Sequence, residues 1–142
     1  MIVPDLNLLI YAFVDAFPQH PRARQWWLDL MNGDDEIGLA PVTIFGFLRL
    51  TTNRRVLETP MPLERALGYV RGWLDRPNVH VLVPGARHLD LALGLLADVG
   101  TAGNLTTDVQ LAAHAIESRA EIHSNDTDFD RFDQVTRTNP LG

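Results

Sequence analysis

The sequence predicts an α/β domain, with a mostly parallel central sheet flanked by helices. Short β-branched or apolar runs alternate with longer segments of helical spacing. Strands separated in this way by helices need crossover connections, which parallel pairing supplies. The chain has 142 residues, 46% hydrophobic and 21% charged. That is the size and composition of one soluble domain able to bury its own core.

The elements follow in order. Residues 2–3 form a short strand closed by Pro4, and residues 7–16 (NLLIYAFVDA) a nearly all-apolar helix. A second helix covers 21–31, with Trp26, Trp27, Leu30 and Met31 facing inward. Residues 37–40 read as a strand, and Pro41 opens a helix to about residue 52, since proline suits the first helical turn. A helix at 62–75 repeats Leu63, Ala66, Leu67, Val70, Trp73 and Leu74 at helical spacing. VHVLV at 79–83 is a strand, and 87–99 a helix with Leu89, Leu93 and Leu96 on one stripe. Gly100 and Gly103 interrupt it, an alanine-rich helix covers 107–119, and strands follow at 121–124 and near 135–137. One domain over 1–142 is expected, without repeat or linker.

Composition removes several function classes. No cysteine means no disulfide, thiolate zinc site, iron–sulfur cluster or cysteine nucleophile. The 12 basic residues are all arginine, so lysine-dependent sites such as the P-loop are excluded. A net charge of −6 argues against tight nonspecific duplex binding. No basic segment precedes an apolar stretch, and no apolar run reaches membrane-spanning length. A cytoplasmic protein without membrane contact is expected.

In a parallel sheet, ligands sit beyond the carboxyl ends of the strands. Asp5 follows the first strand there, and Asp126 and Asp128 follow the strand at 121–124. Asp108 lies in the first turn of the preceding helix, 18 residues before Asp126. That interval holds about three helical turns, a tight turn and a short strand, which returns the chain to the edge where the helix began. Asp108 and Asp126 can therefore meet, and Asp5 joins them if its strand is a neighbour. Like charges 4 Å apart cost about 4 kcal/mol at an effective dielectric of 20. A hard divalent cation, Mg²⁺ or Mn²⁺, offsets that and can activate water against a phosphodiester. The plainer reading is that Asp5 and Asp108 are helix caps and the acids from Asp126 onward a solvated turn.

These residues carry a resemblance. Asp5-Leu6-Asn7-Leu8-Leu9, GFLRLTTNRRV at 46–56 and GNLTTDVQLAAHAIESRAEIHSNDTDF at 103–129 are similar to PIN-domain ribonucleases of the VapC type, the toxins of toxin–antitoxin pairs. The resemblance spans essentially the whole chain. It implies a PIN-like fold, with Asp5 and Asp108 as metal-binding aspartates and Asp126 as a further acid. Ser124 takes the usual Ser or Thr place beside Asp126, and Asp128 and Asn7 are supporting candidates. It also implies an RNA substrate such as tRNA or ribosomal RNA, a cognate antitoxin and a homodimer. One departure stands out. Most PIN domains carry a glutamate in the third helix, whereas residues 42–50 hold no acid and Gly46 occupies that slot or its neighbour.

Other candidates are weaker. Arg49, Arg54 and Arg55 read as RNA-phosphate contacts or as cations dressing a helix C-terminus. The five histidines lack zinc-site spacing, although His123 lies near Asp126 in the chain. Trp26, Trp27, Trp73, Phe13, Phe17, Phe45 and Phe47 read mostly as core, with part of this aromatic surface open to a partner. The expected function is a metal-dependent endoribonuclease toxin. The alternatives are an RNA- or antitoxin-binding module acting by occupancy and, against the absence of lysine, a phosphoacceptor receiver.

Overall fold

The computed structural model describes residues 1–142. Its strands are β1 (Ile2–Pro4), β2 (Ile37–Leu39), β3 (Val79–Val81), β4 (Glu121–His123) and β5 (Arg137–Thr138). Its helices are α1 (Leu6–Phe13), α2 (His20–Asn32), α3 (Pro41–Thr51), α4 (Leu63–Leu74), α5 (His88–Val99) and α6 (Thr106–Ser118). Short 3₁₀ turns at Gly103–Leu105 and Thr127–Arg131 complete the chain. The five strands run β3-β2-β1-β4-β5, every pair parallel, as the crossover pattern requires.

Register positions the site. Pro4 of β1 pairs with His123 of β4, so the two strands end side by side. The Asp5 N–H donates to the His123 carbonyl at 2.9 Å, extending the ladder by one step. Asp5 and Ser124 therefore leave the same edge as neighbours.

The strand period of two splits the core. Ile2, Ile37 and Leu39 face the layer of α1 to α4, where Leu8, Leu9, Trp27, Phe47 and Trp73 pack. Val3 and Ile122 face α5 and α6, with Leu95, Val109, Leu111, Phe129 and Phe132. Each fully buried Phe or Leu stabilises the fold by about 1.5–3 kcal/mol relative to exposure.

Helix ends have local causes. Asp5 caps α1, its carboxylate accepting from the Leu6 N–H at 2.7 Å. This helix ends at Phe13, three residues short of the apolar run, because Val14 turns extended (φ −120°) and places its side chain in the core. Gly100 (φ +83°) closes α5 in the left-handed region, where glycine carries no Cβ penalty.

Burial departs from the apolar pattern at three places. On α5, Leu89 and Leu93 are 66% and 54% exposed, and Ala92 and Leu95 face inward instead. The leucine-rich helix offers two apolar faces, and close packing on alanine-rich α6 selects the one with the small residue. Phe45 is 69% exposed, whereas Phe47, two positions on, packs edge-to-face on Phe13 and Trp73. Leu63 and Leu74, at the ends of α4, are also exposed.

Candidate metal centre

The centre is built where β1, β4 and α6 meet. Asp5 is only 6% exposed, and both its carboxylate oxygens are engaged. Oδ1 accepts from the Leu6 N–H, and Oδ2 accepts from Ser124 Oγ at 2.7 Å. Ser124 Oγ in turn accepts from the Asp126 N–H at 2.9 Å, and Asp126 Oδ1 from the Asp128 N–H at 2.8 Å. One fully buried serine hydroxyl thus ties the end of β1 to the turn after β4. Asp126 caps the 3₁₀ turn, and Asp108 stands in the first turn of α6. Both sites favour aspartate on local grounds. The capping reading holds for Asp5, where it coexists with convergence; it fails for Asp108, because Leu105 is the N-cap of α6 and no side chain caps that helix, and Asp126 caps the 3₁₀ turn instead.

That convergence is direct. Asp108, Asp126 and Asp128 each offer a carboxylate oxygen, and the three oxygens lie within 4.8 Å of one another. All three side chains are partly exposed, so the cluster opens to solvent at the sheet edge. Electrostatics records the crowding. Burial pushes the Asp108 carboxyl up to about 7, helped by the negative charges of Asp5, Asp126 and Asp128. Burial also raises Asp5, against the lowering effect of the Ser124 and Leu6 hydrogen bonds, and Asp126 raises it further. Of the three, only Asp128 has a cation close by, Arg131 at 3.6 Å, and such converging oxygen donors suit a hard divalent ion.

The remaining candidates fall elsewhere. Asn7 is exposed on the first turn of α1, outside the network joining Asp5, Ser124 and Asp126. Arg49 lies in the last turn of α3, and Arg54 and Arg55 just beyond it. All three are exposed, and none of the ion pairs of the chain includes them. Arg49 sits about 12 Å along the helix axis from the sheet edge where α3 begins. His123 points away from the acids. Its Nδ1 accepts from Trp26 Nε1 at 2.9 Å, its Nε2 lies 3.5 Å from Glu121, and burial lowers its pKa.

The slot without a helix acid is filled. Gly46 is buried on α3, and a Cβ added there would lie 2.6 Å from Leu6 Cδ2. The leucine following Asp5 occupies the volume that a longer side chain at Gly46 would need. Sequence reasoning also passed over Arg137. Its Nε and Nη2 donate to the two oxygens of Asp130 at 2.8 and 3.0 Å, and its Nη1 to the Ser124 carbonyl at 3.0 Å. Its one sequence signal is a lone cation on a short strand after an acidic turn.

Known proteins share this sequence pattern and this fold. The PIN domain model matches residues 2–135. Ribonuclease VapC33 of Mycobacterium tuberculosis is 58% identical over 141 residues, covering 99% of each chain. Ribonuclease VapC37 of the same organism is 39% identical, covering 99% of this chain and 97% of that one. Among solved structures, VapC20 of M. tuberculosis, described as a sarcin–ricin loop cleaving toxin, superposes with a TM-score of 0.70 at 14% identity, covering 92% and 93% of the two chains. VapBC2 of Rickettsia felis, solved with a promoter DNA fragment, gives 0.67 at 17% identity, with 98% of each chain covered.

Proposed function

This chain belongs to the PIN-domain family, among the VapC ribonucleases, and from that premise we propose that it is the toxin of a toxin–antitoxin pair, a Mg²⁺- or Mn²⁺-dependent endoribonuclease centred on Asp5, Asp108 and Asp126. The observation that carries the metal dependence is the approach of the Asp108, Asp126 and Asp128 oxygens to within 4.8 Å beside buried Asp5.

In this reading Asp108 and Asp126 hold the ion directly, with Asp128 beside them. Asp5, a metal-binding aspartate with Asp108 in the resemblance, keeps free lone pairs for the ion after its two hydrogen bonds. When bound, the ion supplies Lewis-acid activation of water and charge neutralisation at phosphorus. The protein supplies placement. Ser124 fixes the distance between Asp5 and the Asp126 backbone, so the carboxylates are preorganised before the cation arrives. With its carboxyl raised to about 7, Asp108 is partly protonated near neutral pH in the metal-free protein, and a bound cation would favour its ionised form. An RNA strand seated at the acids and running along α3 reaches Arg49 and the Arg54–Arg55 pair, whose planar forks suit phosphate.

Two surfaces support protein partners. Between α2 and α4 a groove of about 250 Å³ is lined by Phe13, Trp27, Met31 and Trp73. Gly68 and Gly72 open it, because a Cβ at either would meet nothing within 4 Å. An antitoxin segment with an apolar face fits this groove. Exposed Phe45, Val83, Leu89 and Leu93 offer apolar surface for a second copy of the chain. No helix is long and apolar enough to cross a membrane.

The test uses purified, antitoxin-free protein and total bacterial RNA, with Mg²⁺ or Mn²⁺ and with EDTA, beside Asp108→Ala. Discrete fragments that need the ion, vanish in the variant and carry 5′-phosphate and 3′-hydroxyl ends are expected. Ends with 2′,3′-cyclic phosphate would sink metal-assisted hydrolysis. A second reading, action by occupancy, draws on the Leu6 side chain standing where a helix acid would reach. Growth arrest that survives Asp5→Ala combined with Asp108→Ala would favour it.

A further inference from the structure

We propose that Arg137 is a positioning residue for the metal centre, its guanidinium fork setting the turn at 124–130 that presents Asp126 and Asp128. The inference rests on the metal-centre reading above and concerns how the carboxylates are held.

The turn is gripped at both ends by one side chain. At its start, Arg137 Nη1 donates to the Ser124 carbonyl at 3.0 Å. At its far end, Nε and Nη2 form a two-pronged pair with Asp130 at 2.8 and 3.0 Å. Asp126 and Asp128 lie between those grips. The backbone adds to them, because Arg137 pairs with Ile122 across β4 and β5 and the Ser124 N–H donates to the Thr138 carbonyl at 3.0 Å. Ser124 is therefore held by its N–H and its carbonyl, which leaves its hydroxyl to link Asp5 with Asp126. The Arg137 side chain is only 15% exposed, so it is already committed and does not reach for a substrate phosphate. A lysine supplies the charge without the rigid fork that satisfies a carboxylate and a carbonyl together.

Charge and geometry predict opposite signs here. Arg137 is a cation close enough to Asp126 for their charges to interact. Acting only as a charge, it repels an incoming divalent ion, and its removal would tighten metal binding. Acting by placement, its removal loosens the Asp126 and Asp128 oxygens and weakens binding. We assign it the second role.

The experiment is a Mn²⁺ titration of the full chain, read by calorimetry and by the spin resonance of free Mn²⁺, with metal-free melting as a folding control. Arg137→Met is expected to weaken Mn²⁺ binding about tenfold, in the range typical of residues that orient metal ligands. Arg137→Lys is expected to fail to restore it. Arg131→Met is the charge control. Arg131 Nε lies 3.6 Å from Asp128 on a half-exposed side chain, so its loss should leave the affinity equal or tighter. Affinity unchanged or improved in Arg137→Met would overturn the assignment. If that variant does not fold, Asp130→Asn takes its place, because it leaves the arginine and changes a carboxylate that is about half exposed. Weaker Mn²⁺ binding is then expected, and unchanged binding overturns the inference. Absence of Mn²⁺ binding by the unaltered protein would overturn the metal-centre reading first, and this inference with it.

Discussion

The chain carries two charged regions at the face where RNA is proposed to lie, and they are built in opposite ways. At the sheet edge, Asp5 is buried and accepts from Ser124, the Asp126 and Asp128 N–H groups donate to Ser124 Oγ and Asp126 Oδ1, and Arg137 holds the Ser124 carbonyl. At the end of α3, Arg49, Arg54 and Arg55 are exposed and have no carboxylate partner. Fixed charges held close against their own repulsion suit chemistry, where displacements below an ångström matter. Free charges on flexible side chains suit diffuse attraction, which acts through solvent and is screened by salt. The acids should therefore govern turnover and the arginines capture.

The sharpest break of that contrast is Asp108→Asn. It is expected to reduce cleavage by more than the 10- to 100-fold typical of residues that merely orient a metal ligand. The affinity for RNA should change little in the same variant. Single-turnover cleavage and filter binding separate the two effects. A variant that cleaves within a few-fold of the unaltered protein would remove Asp108 from the centre.

The same substitution has a second signature. An acid held at about 7 rather than its ordinary 3.8 favours the protonated native state. Below about pH 4, folded and unfolded chains both carry the proton and no difference arises. As pH rises from there towards 7, the unfolded chain loses the proton first and the native state is penalised. Above about 7 the penalty is complete, and solvent screening of this half-exposed group limits it to about 2 kcal/mol. Metal-free Asp108→Asn should therefore melt about 5 °C higher than the unaltered protein at pH 8, with little difference near pH 4. Mn²⁺ should raise the melting temperature of the unaltered chain more at pH 8 than at pH 5. Equal shifts at both pH values would mean that the ion does not relieve this repulsion.

How far these features were legible in the chain depends on how local their causes are. Asp5, Asp108 and Asp126 could be brought together from sequence because strand ends and an 18-residue return fix where they emerge. The alternation of strands and helices implied parallel pairing for the same reason, although not the strand order. The Ser124 link needs only the register of β1 against β4. Arg137 was not legible, because its partners, Ser124 and Asp130, depend on how the turn folds back over β5. The inward face of α5 was not legible, because leucines mark two stripes and only α6 decides between them. Gly46 was seen as a missing acid, but the side chain filling its place comes from Leu6, 40 residues earlier.

That substitution of leucine for acid sharpens the contrast from the other side. The carboxylates follow β1 and β4 and open α6, and at Gly46, packed by Leu6, α3 adds no acid. Without RNA, the protein is expected to bind one Mn²⁺ per chain with measurable affinity. Gly46→Glu alone forces Leu6 to move, whereas Gly46→Glu with Leu6→Ala has room for the new side chain. The double variant should bind Mn²⁺ several-fold more tightly than the unaltered chain, or take up a second ion. Calorimetric stoichiometry reads either result, and unchanged binding would mean that α3 does not face the ion.

The smallest expected effect belongs to the arginines, and its form matters more than its size. Each exposed guanidinium that contacts a phosphate releases counterions, so binding to single-stranded RNA falls with salt by about 0.7 in log–log slope per contact. Arg54→Ala or Arg55→Ala should raise KM a few-fold at low salt and flatten that slope by about this amount, with kcat unchanged. Arg49 tests the competing role. Standing in the last turn of α3, it also complements the helix dipole, worth about 0.3–1 kcal/mol at an exposed site. Loss of stability in Arg49→Ala with an unchanged salt slope would mark it as a helix-end cation. Loss of slope with an unchanged melting temperature would place it on the RNA path. A change in kcat from any of the three would erase the division of labour between a locked acid edge and a free basic helix end.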